Sequence, residues 1–415
     1  MVYVISKDNK PLMPCAHAIA RLLLKQGKAK VKRKEPFTIK LTYETTEYVQ
    51  QLTMGVDTGS GTFAVAVANE KDEIVCASEV TVRNDIHEKT TRRSKYRRNR
   101  RNRKTRYRKP RFMNRKNSKR SDRFSPTMTS KLQAHVREIE FVKSILPIAK
   151  MVFETAKFDT ALMANPTMNL SWGYQQGPNY GYSNKRMMVL ARDNYTCRYC
   201  HGKRKCAQKD VHHIVFKSLG GSDDEENLAT ACHLCHVDIH DGKISTFLAG
   251  PGKMKGTLNF ATQMNSICKQ LLRIYPDAIE TFGFVTSANR FNLNLPKEHY
   301  IDAAIIATGG NMPIMKTNVV YVKRCIAKGD YQQSKGVRSE QKLNTKKIAG
   351  FRKFDKVKYK GKEYFIKGRM STGYATLMDI NGVTQKFTNP KTVKLSNCKR
   401  VSARKSVIIM AKKVA

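Results

Sequence analysis

The chain has 415 residues, of which 40% are hydrophobic, enough for several domains that each bury a core of their own. Its 78 basic and 33 acidic side chains leave a formal charge of +45, which exceeds what solubility requires and indicates a large polyanion as partner. No apolar run approaches the roughly 18 residues of a membrane span, and the N-terminus does not resemble a signal peptide, so nucleic acid is favoured over a membrane.

Residues 1–50 are expected to form a small opening module. Two strands, Val2–Ser6 and Pro36–Tyr43, flank an amphipathic helix at Cys15–Gln26. Between the first strand and the helix, the string Pro-Leu-Met-Pro at 11–14 is, taken alone, typical of a turn with a hydrophobic anchor.

Residues 51–83 predict a three-strand antiparallel meander. The connection at 58–61, Thr-Gly-Ser-Gly, is a natural hairpin turn. Asp57 therefore lies at the end of a central strand, beside a glycine turn that lets a nucleic-acid phosphate approach closely. The predicted strands are Leu52–Asp57, Thr62–Asn69 and Glu73–Val82.

The composition changes abruptly in residues 84–123. Eighteen residues between Lys89 and Arg120 are Lys or Arg, and none is acidic. Like charges repel in isolation, but against phosphates the segment is expected to order as a helix. The alternative, an unspecific basic tail, is disfavoured because the segment lies inside the chain. The residues expected to bind nucleic acid are Arg92, Arg93, Arg97, Arg98, Arg100, Arg101, Lys104, Arg108 and Arg111.

Residues 124–164 continue with a helix and a strand. An apolar stripe predicts the helix at 129–147, ended by Pro147, and a buried-looking strand follows at Lys150–Thr155. The strand carries Glu154. A single glutamate on a strand is more often an ordinary partner of Lys or Arg than a catalytic group.

The segment from Cys197 to His240 contains five cysteines and six histidines. Two Cys-x-x-Cys pairs lie about thirty residues apart, and each pair puts two sulfurs on one tight turn, so that together they complete a tetrahedron. This spacing is a strong signal for a structural zinc site. The predicted zinc ligands are Cys197, Cys200, Cys232 and Cys235.

The histidines are then available for other chemistry. His212 and His213 are neighbours on a strand and point to opposite sides, so they cannot perform the same task. His236 and His240 lie four residues apart and share one face of a helix. The alternative is a zinc module that only folds and binds, but a purely structural zinc site has no use for the His-His pair.

The rest of the chain is predicted to contain two further helices, a strand and a basic β-rich region. The helix Lys297–Ala307 carries His299 and Asp302 three residues apart on one face. Before it come a helix at Phe260–Tyr275 and a strand at Thr281–Val285. The β-rich region has alternating segments at 355–368, 373–379 and 383–394.

Asp57, Glu154 and Asp302 form a possible carboxylate triad. A ribonuclease H-like fold draws acids from such elements to hold two divalent cations for attack on a phosphodiester. Each motif is weak alone, because the glycine turn at Asp57 also suits the phosphate loop of the sugar-kinase and actin superfamily, and His299 alone is typical of a helix surface. Together, and interrupted by the cysteine- and histidine-rich segment, they favour a nuclease.

The cysteine- and histidine-rich segment resembles the HNH endonuclease pattern. That resemblance implies that His213 is the general base and that Asn227 pins the loop which orients it. It also implies a catalytic magnesium ion bound by His212, His236 and His240.

Most of the chain, from residue 1 to roughly 310, resembles IscB, the insertion-sequence-encoded, transposon-associated nuclease family related to the type II CRISPR effectors. The string at 11–14 matches the motif after which that family's opening module is named, and the arginine-rich stretch resembles its bridge helix. Three further strings resemble the RuvC motifs of the family: Gly55-Val-Asp57-Thr-Gly, Val152-Phe-Glu154 and His299-Tyr-Ile-Asp302-Ala.

The IscB resemblance implies an α/β multidomain protein whose ribonuclease H-like (RuvC) core is split by a zinc-stabilised ββα-metal HNH insertion. It implies that Asp57, Glu154 and Asp302 bind Mg²⁺ and that His299 assists in activating water. The expected boundaries are 1–50 for the N-terminal module, 51–83, 124–164 and 258–330 for the RuvC parts, 84–123 for the bridge helix, 165–257 for the HNH insertion, and 331–415 for a basic β-rich region that contacts guide RNA and target-adjacent motif.

The same resemblance implies a monomeric ribonucleoprotein that uses a guide RNA to open double-stranded DNA beside a short motif. HNH would cut the guide-paired strand and RuvC the displaced strand, with Mg²⁺ and Zn²⁺ as cofactors. The cysteines outside the zinc motif are scattered singly, which suits a reducing cytoplasm and not a secreted disulfide framework. The resemblance implies a prokaryotic, nucleoid-associated protein, and no membrane is expected as a partner. The alternatives are a stand-alone HNH homing or restriction-type endonuclease and a non-catalytic zinc-containing RNA-binding protein.

Overall fold

The protein is a mixed α/β molecule with two compact units. One unit comprises Met1–Lys157 and Gln263–Ala415, and the other comprises Phe158–Thr262, which contains the predicted insertion at 165–257. The computed structural model describes residues 1–102, 124–159, 163, 180–219, 221, 223, 225–245, 259–327, 347–387 and 392–414.

The opening module is a four-stranded sheet with one helix, α1 (His17–Lys25). The prediction of a turn at 11–14 is wrong: this segment is the edge strand β2 and pairs antiparallel with β1. An edge position tolerates prolines because one side of the strand forms no ladder. In the order β2-β1-β4-β3, the strands are β1 (Val2–Ile5), β2 (Pro11–Cys15), β3 (Ala29–Lys34) and β4 (Phe37–Leu41).

The predicted antiparallel meander is confirmed. Its middle strand packs on both faces: Phe63, Val65 and Val67 point into the main core, whereas Ala64 and Ala66 lie under a later helix. The alternation of large and small residues thus selects which face a helix can approach closely. The three strands are β5 (Leu52–Asp57), β6 (Thr62–Ala68) and β7 (Glu73–Thr81).

Two helices and a strand follow the meander. Helix α2 (Ile86–Asn102) covers the first part of the basic stretch, while residues 103–123 lie outside the described part of the chain. Helix α3 (Pro126–Lys143) begins after Ser125, whose hydroxyl accepts the Met128 amide, and it ends before the predicted stop at Pro147. Strand β8 (Ile148–Thr155) then pairs parallel with β5.

The second unit contains a short helix, α4 (Lys185–Arg192), followed by a hairpin and another helix. The hairpin strands β9 (Lys209–His213) and β10 (Leu228–Cys232) pair antiparallel, and helix α5 (His233–His240) starts at the next residue. This strand–strand–helix order is the ββα arrangement expected for the segment. Its apolar core cluster is small, with Met188, Val189 and Leu228 buried.

The chain then returns to the first unit and extends its sheet. After α6 (Asn259–Ile274), strand β11 (Ile279–Phe282) pairs parallel with β8. This strand ends at Phe282, earlier than predicted, because a helix, α7 (Gly283–Asn292), begins at the next residue. Helix α8 lies against the small residues of β6. The remaining elements are α8 (His299–Ala307), β12 (Ile314–Met315) and β13 (Val319–Cys325).

The C-terminal region forms a five-stranded sheet, but its last strand belongs elsewhere. Strand β19 pairs antiparallel with β13, so the large sheet runs β11-β8-β5-β6-β7-β13-β19. No helix among the described segments is both long and apolar enough to cross a lipid bilayer. The C-terminal strands are β14 (Lys356–Tyr359), β15 (Lys362–Arg369), β16 (Tyr374–Met378), β17 (Val393–Lys394), β18 (Lys399–Ser402) and β19 (Val407–Lys413).

Candidate active sites

The four predicted zinc ligands converge in the second unit. Cys197 and Cys200 come after α4, and Cys232 and Cys235 come at the start of α5. The four sulfurs lie within 4.8 Å of one another, and Cys200 Sγ is 3.9 Å from Cys232 Sγ. Zinc–sulfur bonds of about 2.3 Å place the sulfurs of a tetrahedral site about 3.8 Å apart, so the cluster fits zinc.

Burial and mutual hydrogen bonds shift the pKa values of these thiols in opposite directions. Burial and the neighbouring thiols raise the pKa of Cys235. At Cys200 burial opposes ionisation, but the Arg204 amide and hydrogen bonds from the other thiols lower the pKa to about 7. One thiolate is therefore available near neutral pH, and a bound cation would stabilise the others.

Three histidines form a second cluster in the same unit. His212 lies on β9, and His236 and His240 lie one turn apart on α5. Their ligand nitrogens lie within 4.8 Å of one another, and His236 Nε2 is 3.2 Å from His240 Nε2. His212 Nε2 is buried and has no hydrogen-bond partner, which is costly unless a ligand uses its lone pair.

The protonation of His212 also suits a metal ligand. Burial and the neighbouring His236 and His240 lower the pKa of His212 to about 4, so its imidazole is neutral at physiological pH. The ring of Phe216 stacks on His240 at 5.1 Å and closes one side of the cluster. Imidazole nitrogen is a typical ligand for Zn²⁺, Cu²⁺, Fe²⁺ and Ni²⁺, whereas Mg²⁺ prefers oxygen.

His213 points away from this cluster, as expected for its neighbour on a strand. Its Nε2 lies 2.8 Å from Asp223 Oδ1, and Lys217 Nζ lies 2.7 Å from the same oxygen. His212 is buried, whereas His213 is partly exposed. The two adjacent histidines therefore have separate surroundings, and Asp223, which the sequence did not single out, orients His213.

Asn227 holds the backbone that follows His213. Its Oδ1 accepts the Val215 amide at 2.8 Å, and its Nδ2 donates to the Val215 carbonyl at 3.1 Å. The Ile214 amide donates to the Asn227 carbonyl at 2.9 Å. Three hydrogen bonds thus fix the two residues after His213, and Asn227 itself is buried.

Asp210 is a further acidic residue at the histidine cluster that sequence reasoning missed. Its Oδ2 lies 2.9 Å from His233 Nδ1 and 3.5 Å from His236 Nδ1. The Nε2 atom of His236 faces the cluster, so the carboxylate stands behind a candidate metal ligand. The signal available in the sequence was its position two residues before His212, on the same face of the strand.

The predicted carboxylates meet in the first unit, at the ends of two paired strands. Asp57 and Glu154 are direct partners in the β5–β8 register. Helix α8 carries His299 and Asp302, and His299 Nδ1 lies 2.7 Å from Asp57 Oδ2. A Cβ on Gly55 would lie 2.4 Å from the Ala303 carbonyl oxygen, so glycine is needed there for α8 to approach.

Three carboxyl groups, those of Asp57, Glu154 and Asp302, interact at this second site. Burial, opposed by a hydrogen bond from Thr286, raises the pKa of Glu154 to about 7, with Asp57 and Asp302 adding to the rise. Burial also raises the pKa of Asp57 and of Asp302. Arg290 Nε forms an ion pair with Asp302 Oδ1 at 2.9 Å. Such a group of acids fits a divalent cation.

The turn after Asp57 is held by two groups that sequence reasoning missed. Thr58 Oγ1 donates to the Glu154 carbonyl at 2.7 Å. The Gly59 amide donates to Nε2 of His135 at 3.5 Å, while the Nδ1–H of that buried ring donates to the Lys131 carbonyl. Burial lowers the pKa of His135 to about 4, so the ring stays neutral and can accept.

The basic helix presents part of its predicted nucleic-acid surface. Arg92, Arg93, Arg97 and Arg98 are exposed on α2, and Arg92 pairs with Glu88 one turn earlier. The side chains of Arg100 and Arg101 and the residues Lys104, Arg108 and Arg111 lie outside the described part of the structure.

Comparisons with known proteins agree with this arrangement. Residues 2–177 match the family model of the RRXRR proteins, which is found in IscB- and Cas9-like proteins, and the chain contains that pattern at 97–101. Residues 197–242 match the HNH endonuclease model. Together the two matches are consistent with an HNH nuclease of the IscB type. The HNH match includes all four cysteines of the first cluster and all three histidines of the second.

A curated protein is also similar to one segment of the chain. Anaredoxin of Nostoc sp. is 31% identical over 65 residues, which is 16% of this nuclease and 83% of Anaredoxin. That similarity concerns a short stretch only. The HNH match carries the functional conclusion: the protein is a metal-dependent nuclease, its substrate is DNA, and its HNH domain uses a divalent metal.

Proposed function

We propose that this nuclease is an RNA-guided DNA endonuclease with two separate active sites, each of which cuts one strand of a target duplex. The observation that supports this most strongly is the interleaving of the two sites in the chain. Asp57 and Glu154 precede the HNH segment, and Asp302 follows it, yet all three belong to one sheet-and-helix assembly. A stand-alone HNH enzyme has no need of that second acidic centre.

The topology of the large sheet supports a ribonuclease H-like (RuvC) core. Numbered along the chain, the first five strands of this sheet lie in the order 3-2-1-4-5, formed by β7, β6, β5, β8 and β11. The second strand is antiparallel to its neighbours, while β8 and β11 are parallel to the first. This order is the one expected for that fold, and the acids stand where its metal ligands would.

At the HNH site, His213 is proposed to take the proton from the attacking water. Asp223 orients its imidazole, and Asn227 keeps the following backbone in place. His212, His236 and His240 would hold the divalent ion, which when bound stabilises the charge on the scissile phosphate and leaving oxygen. Three nitrogen donors favour a transition metal, and Mg²⁺ there would have to keep several waters and phosphate oxygens.

At the second site, the oxygen-rich donor set favours Mg²⁺. Asp57, Glu154 and Asp302 would bind it. Burial raises the pKa of each of these carboxyl groups, and a bound cation would stabilise their ionised forms. His299 is held by Asp57, which raises the pKa of the imidazole. We propose that His299 accepts the proton of the attacking water once the carboxylates are occupied by metal.

The guide is proposed to be a structured RNA bound mainly through phosphates. A formal charge of +45 and the arginines of α2 support a polyanionic partner that neutralises much of the protein's positive charge. Base pairing would then select the target sequence, while the protein contacts backbone and a short motif in the duplex. We propose that the basic C-terminal sheet contacts the short motif in the duplex.

The first test separates the two active sites. In plasmid cleavage with the RNA complex, Asp57→Ala should cut only the guide-paired strand, and His213→Ala only the displaced strand. Asp277→Ala and His201→Ala, both at exposed positions, should cut both strands. If either single active-site variant loses both cuts, the two centres do not act independently.

The second test concerns the RNA. The protein should be purified after expression with its neighbouring non-coding locus, and the RNA that accompanies it sequenced. A discrete RNA species whose replaceable segment redirects cleavage is expected. Heterogeneous RNA, together with cleavage that ignores the guide segment, would contradict RNA guidance.

The stand-alone HNH endonuclease is the second candidate because Phe158–Thr262 forms a compact unit with its own metal clusters. The two candidates differ in one result. A stand-alone HNH enzyme would keep double-strand cutting in Asp57→Ala, whereas the proposed two-site enzyme would become a nickase. Strand-specific end-labelling of the product distinguishes the two outcomes.

A further inference from the structure

Helix α7 exposes aromatic rings on the face that points to solvent. Phe284 is 74% exposed and Phe291 is 83% exposed, and seven residues, or two turns, separate them. Two turns place both rings on the same face, about 10 Å apart along the axis. Phe282, just before the helix, stacks parallel to Phe284 with 5.9 Å between ring centres. These three rings are called the aromatic platform below.

The opposite face of α7 contacts the carboxylate site. A Cβ on Gly283 would lie 3.0 Å from Glu154 Oε1, so the first residue of the helix packs against that carboxylate. Thr286 is buried and hydrogen-bonded to Glu154, and Arg290 lies 2.9 Å from Asp302. One short helix therefore carries the site contacts on one face and the aromatic platform on the other.

Exposed phenyl rings of this size require an explanation. Soluble proteins rarely leave neighbouring large apolar side chains in water unless the surface binds something. A cation accompanies the rings: Lys157 Nζ lies 5.2 Å from the centre of Phe282 and also pairs with Glu280 Oε1 at 3.1 Å. Aromatic faces beside basic groups are typical of surfaces that bind single-stranded nucleic acid, where each unpaired base stacks on a ring and the backbone meets positive charge.

We propose that the aromatic platform binds single-stranded DNA by stacking its unpaired bases on Phe284 and Phe291, and so feeds that strand to the acids beneath α7. The proposal rests on the proposed function, in which those acids cut the displaced strand. The separation of the two rings, about 10 Å, corresponds to about three base-stacking steps of 3.4 Å. Two bases a few nucleotides apart on one strand can therefore stack on the two rings.

The platform also explains a preference for an unpaired strand. In duplex DNA each base is stacked on its neighbours, so its faces are not available to a protein ring. Unstacking a duplex costs free energy, whereas a displaced strand presents free faces. Stacking at the platform therefore discriminates against intact duplex without reading any base sequence.

The experiment measures binding separately from cutting. All variants are made in an Asp57→Ala background, which removes the proposed displaced-strand cut, and the RNA complex is assembled on duplexes whose displaced strand carries 5-iododeoxyuridine near the cut position. Irradiation should crosslink that base to the platform, and mass spectrometry should identify Phe284 or Phe291 as the attached residue. Affinity for a fluorescent single-stranded oligonucleotide is measured in parallel.

Three substitutions at Phe284 distinguish stacking from simple apolar contact. Phe284→Trp should keep the crosslink and the affinity. Phe284→Ala and Phe284→Leu should each weaken single-strand binding about tenfold, because a base stacks on a ring and not on a leucine. Tyr48→Ala removes a ring that is 93% exposed elsewhere and should change nothing.

Two results would overturn the proposal. Crosslinks that map away from the platform exclude base stacking there. A Phe284→Leu variant that binds like the unchanged protein, when Phe284→Ala does not, indicates a protein segment or other apolar partner on the helix. Failure of the proposed function is recognised separately, because Asp57→Ala would then still cut the displaced strand while binding at the platform could persist.

Discussion

Single residues at the HNH site have their properties set by neighbours from other elements. His212 and His213 are adjacent in sequence, yet one nitrogen is buried without a partner and the other meets a carboxylate. Successive side chains of a β-strand point to opposite faces, which predicts that His212 and His213 do so. It does not predict Asp223 or Asp210, because acids that reach a site through a loop or from behind a ligand follow no periodic pattern.

Asp210→Asn should weaken metal binding at the histidine cluster. The carboxylate lies behind His236, where it orients the ring and raises its basicity, and loss of such a partner typically costs about 10- to 100-fold in metal affinity. Calorimetric titration of the zinc-filled protein with Co²⁺ or Ni²⁺ measures the change. Asp241→Asn, in the same unit, serves as control, and equal affinities in all three proteins would show that Asp210 has no such role.

Glu154→Gln should change how stability depends on pH. Glu154 has its pKa raised from an ordinary 4.5 to about 7, so folding favours its protonated form. Without metal, the unchanged protein should lose stability as pH rises from about 4.5 to about 7, whereas the glutamine variant should not. Melting temperatures in chelator should therefore be similar at pH 5, with the variant higher at pH 8.

Glu280→Gln is the matched control for that experiment. A hydrogen bond from Thr155 lowers the pKa of Glu280, so its ionised form is favoured by folding. That variant should lose stability relative to the unchanged protein at pH 8, opposite in sign to Glu154→Gln. Added Mg²⁺ should then raise the melting temperature of the unchanged protein more at pH 8 than at pH 6. A metal effect independent of pH would contradict competition between protons and cation.

Among the helices and strands, those with the longest regular sequence patterns were predicted best. The meander at 51–83 and the helix before β8 follow from alternation and from an apolar stripe. The strand predicted at Thr281–Val285 is instead half strand and half helix. Glycine at 283 carried the signal for a break, but the choice of helix depends on packing against Glu154, which no local pattern contains.

Cys232→Ser should unfold the second unit and leave the first one intact. The apolar cluster of that unit is small, so zinc held by the four sulfurs is expected to supply a large part of its folding free energy. Limited proteolysis should cut within Phe158–Thr262, and metal analysis should show loss of zinc. Cys206→Ser is the control, because this cysteine lies outside the four-sulfur cluster and should keep both zinc and protection.

At the scale of the whole molecule, charge dominates the behaviour. Affinity for RNA should fall steeply with salt, because each neutralised phosphate contributes about 0.7 to the slope of log K against log salt for single strands. Arg97→Ala, on the exposed part of α2, should reduce that slope by about the same 0.7. Filter binding between low and moderate salt measures it.

Lys316→Ala is the matched control, since its ammonium group is already paired with Glu73 at 2.6 Å. Removing that lysine should leave the slope unchanged. A slope that is flat in the unchanged protein would contradict binding through many phosphates. A slope that Arg97→Ala does not alter would place the phosphate contacts elsewhere on the protein.

The sequence by itself determined the chemistry that depends on short spacings and on composition. Two Cys-x-x-Cys pairs, the His-His pair and the i, i+4 histidines need only the geometry of a turn, a strand and a helix, so the cysteine and histidine clusters could be predicted. The partner class follows from a charge of +45, because long-range electrostatics depends little on fold.

Only the tertiary structure decided how residues far apart in the chain come together. It paired Asp57 with Glu154, laid α8 over Gly55, and placed the last strand beside β13. It also put aromatic rings and site contacts on opposite faces of α7. Such contacts are selected by the packing of whole elements, where shape and burial decide between many partners of equal local propensity.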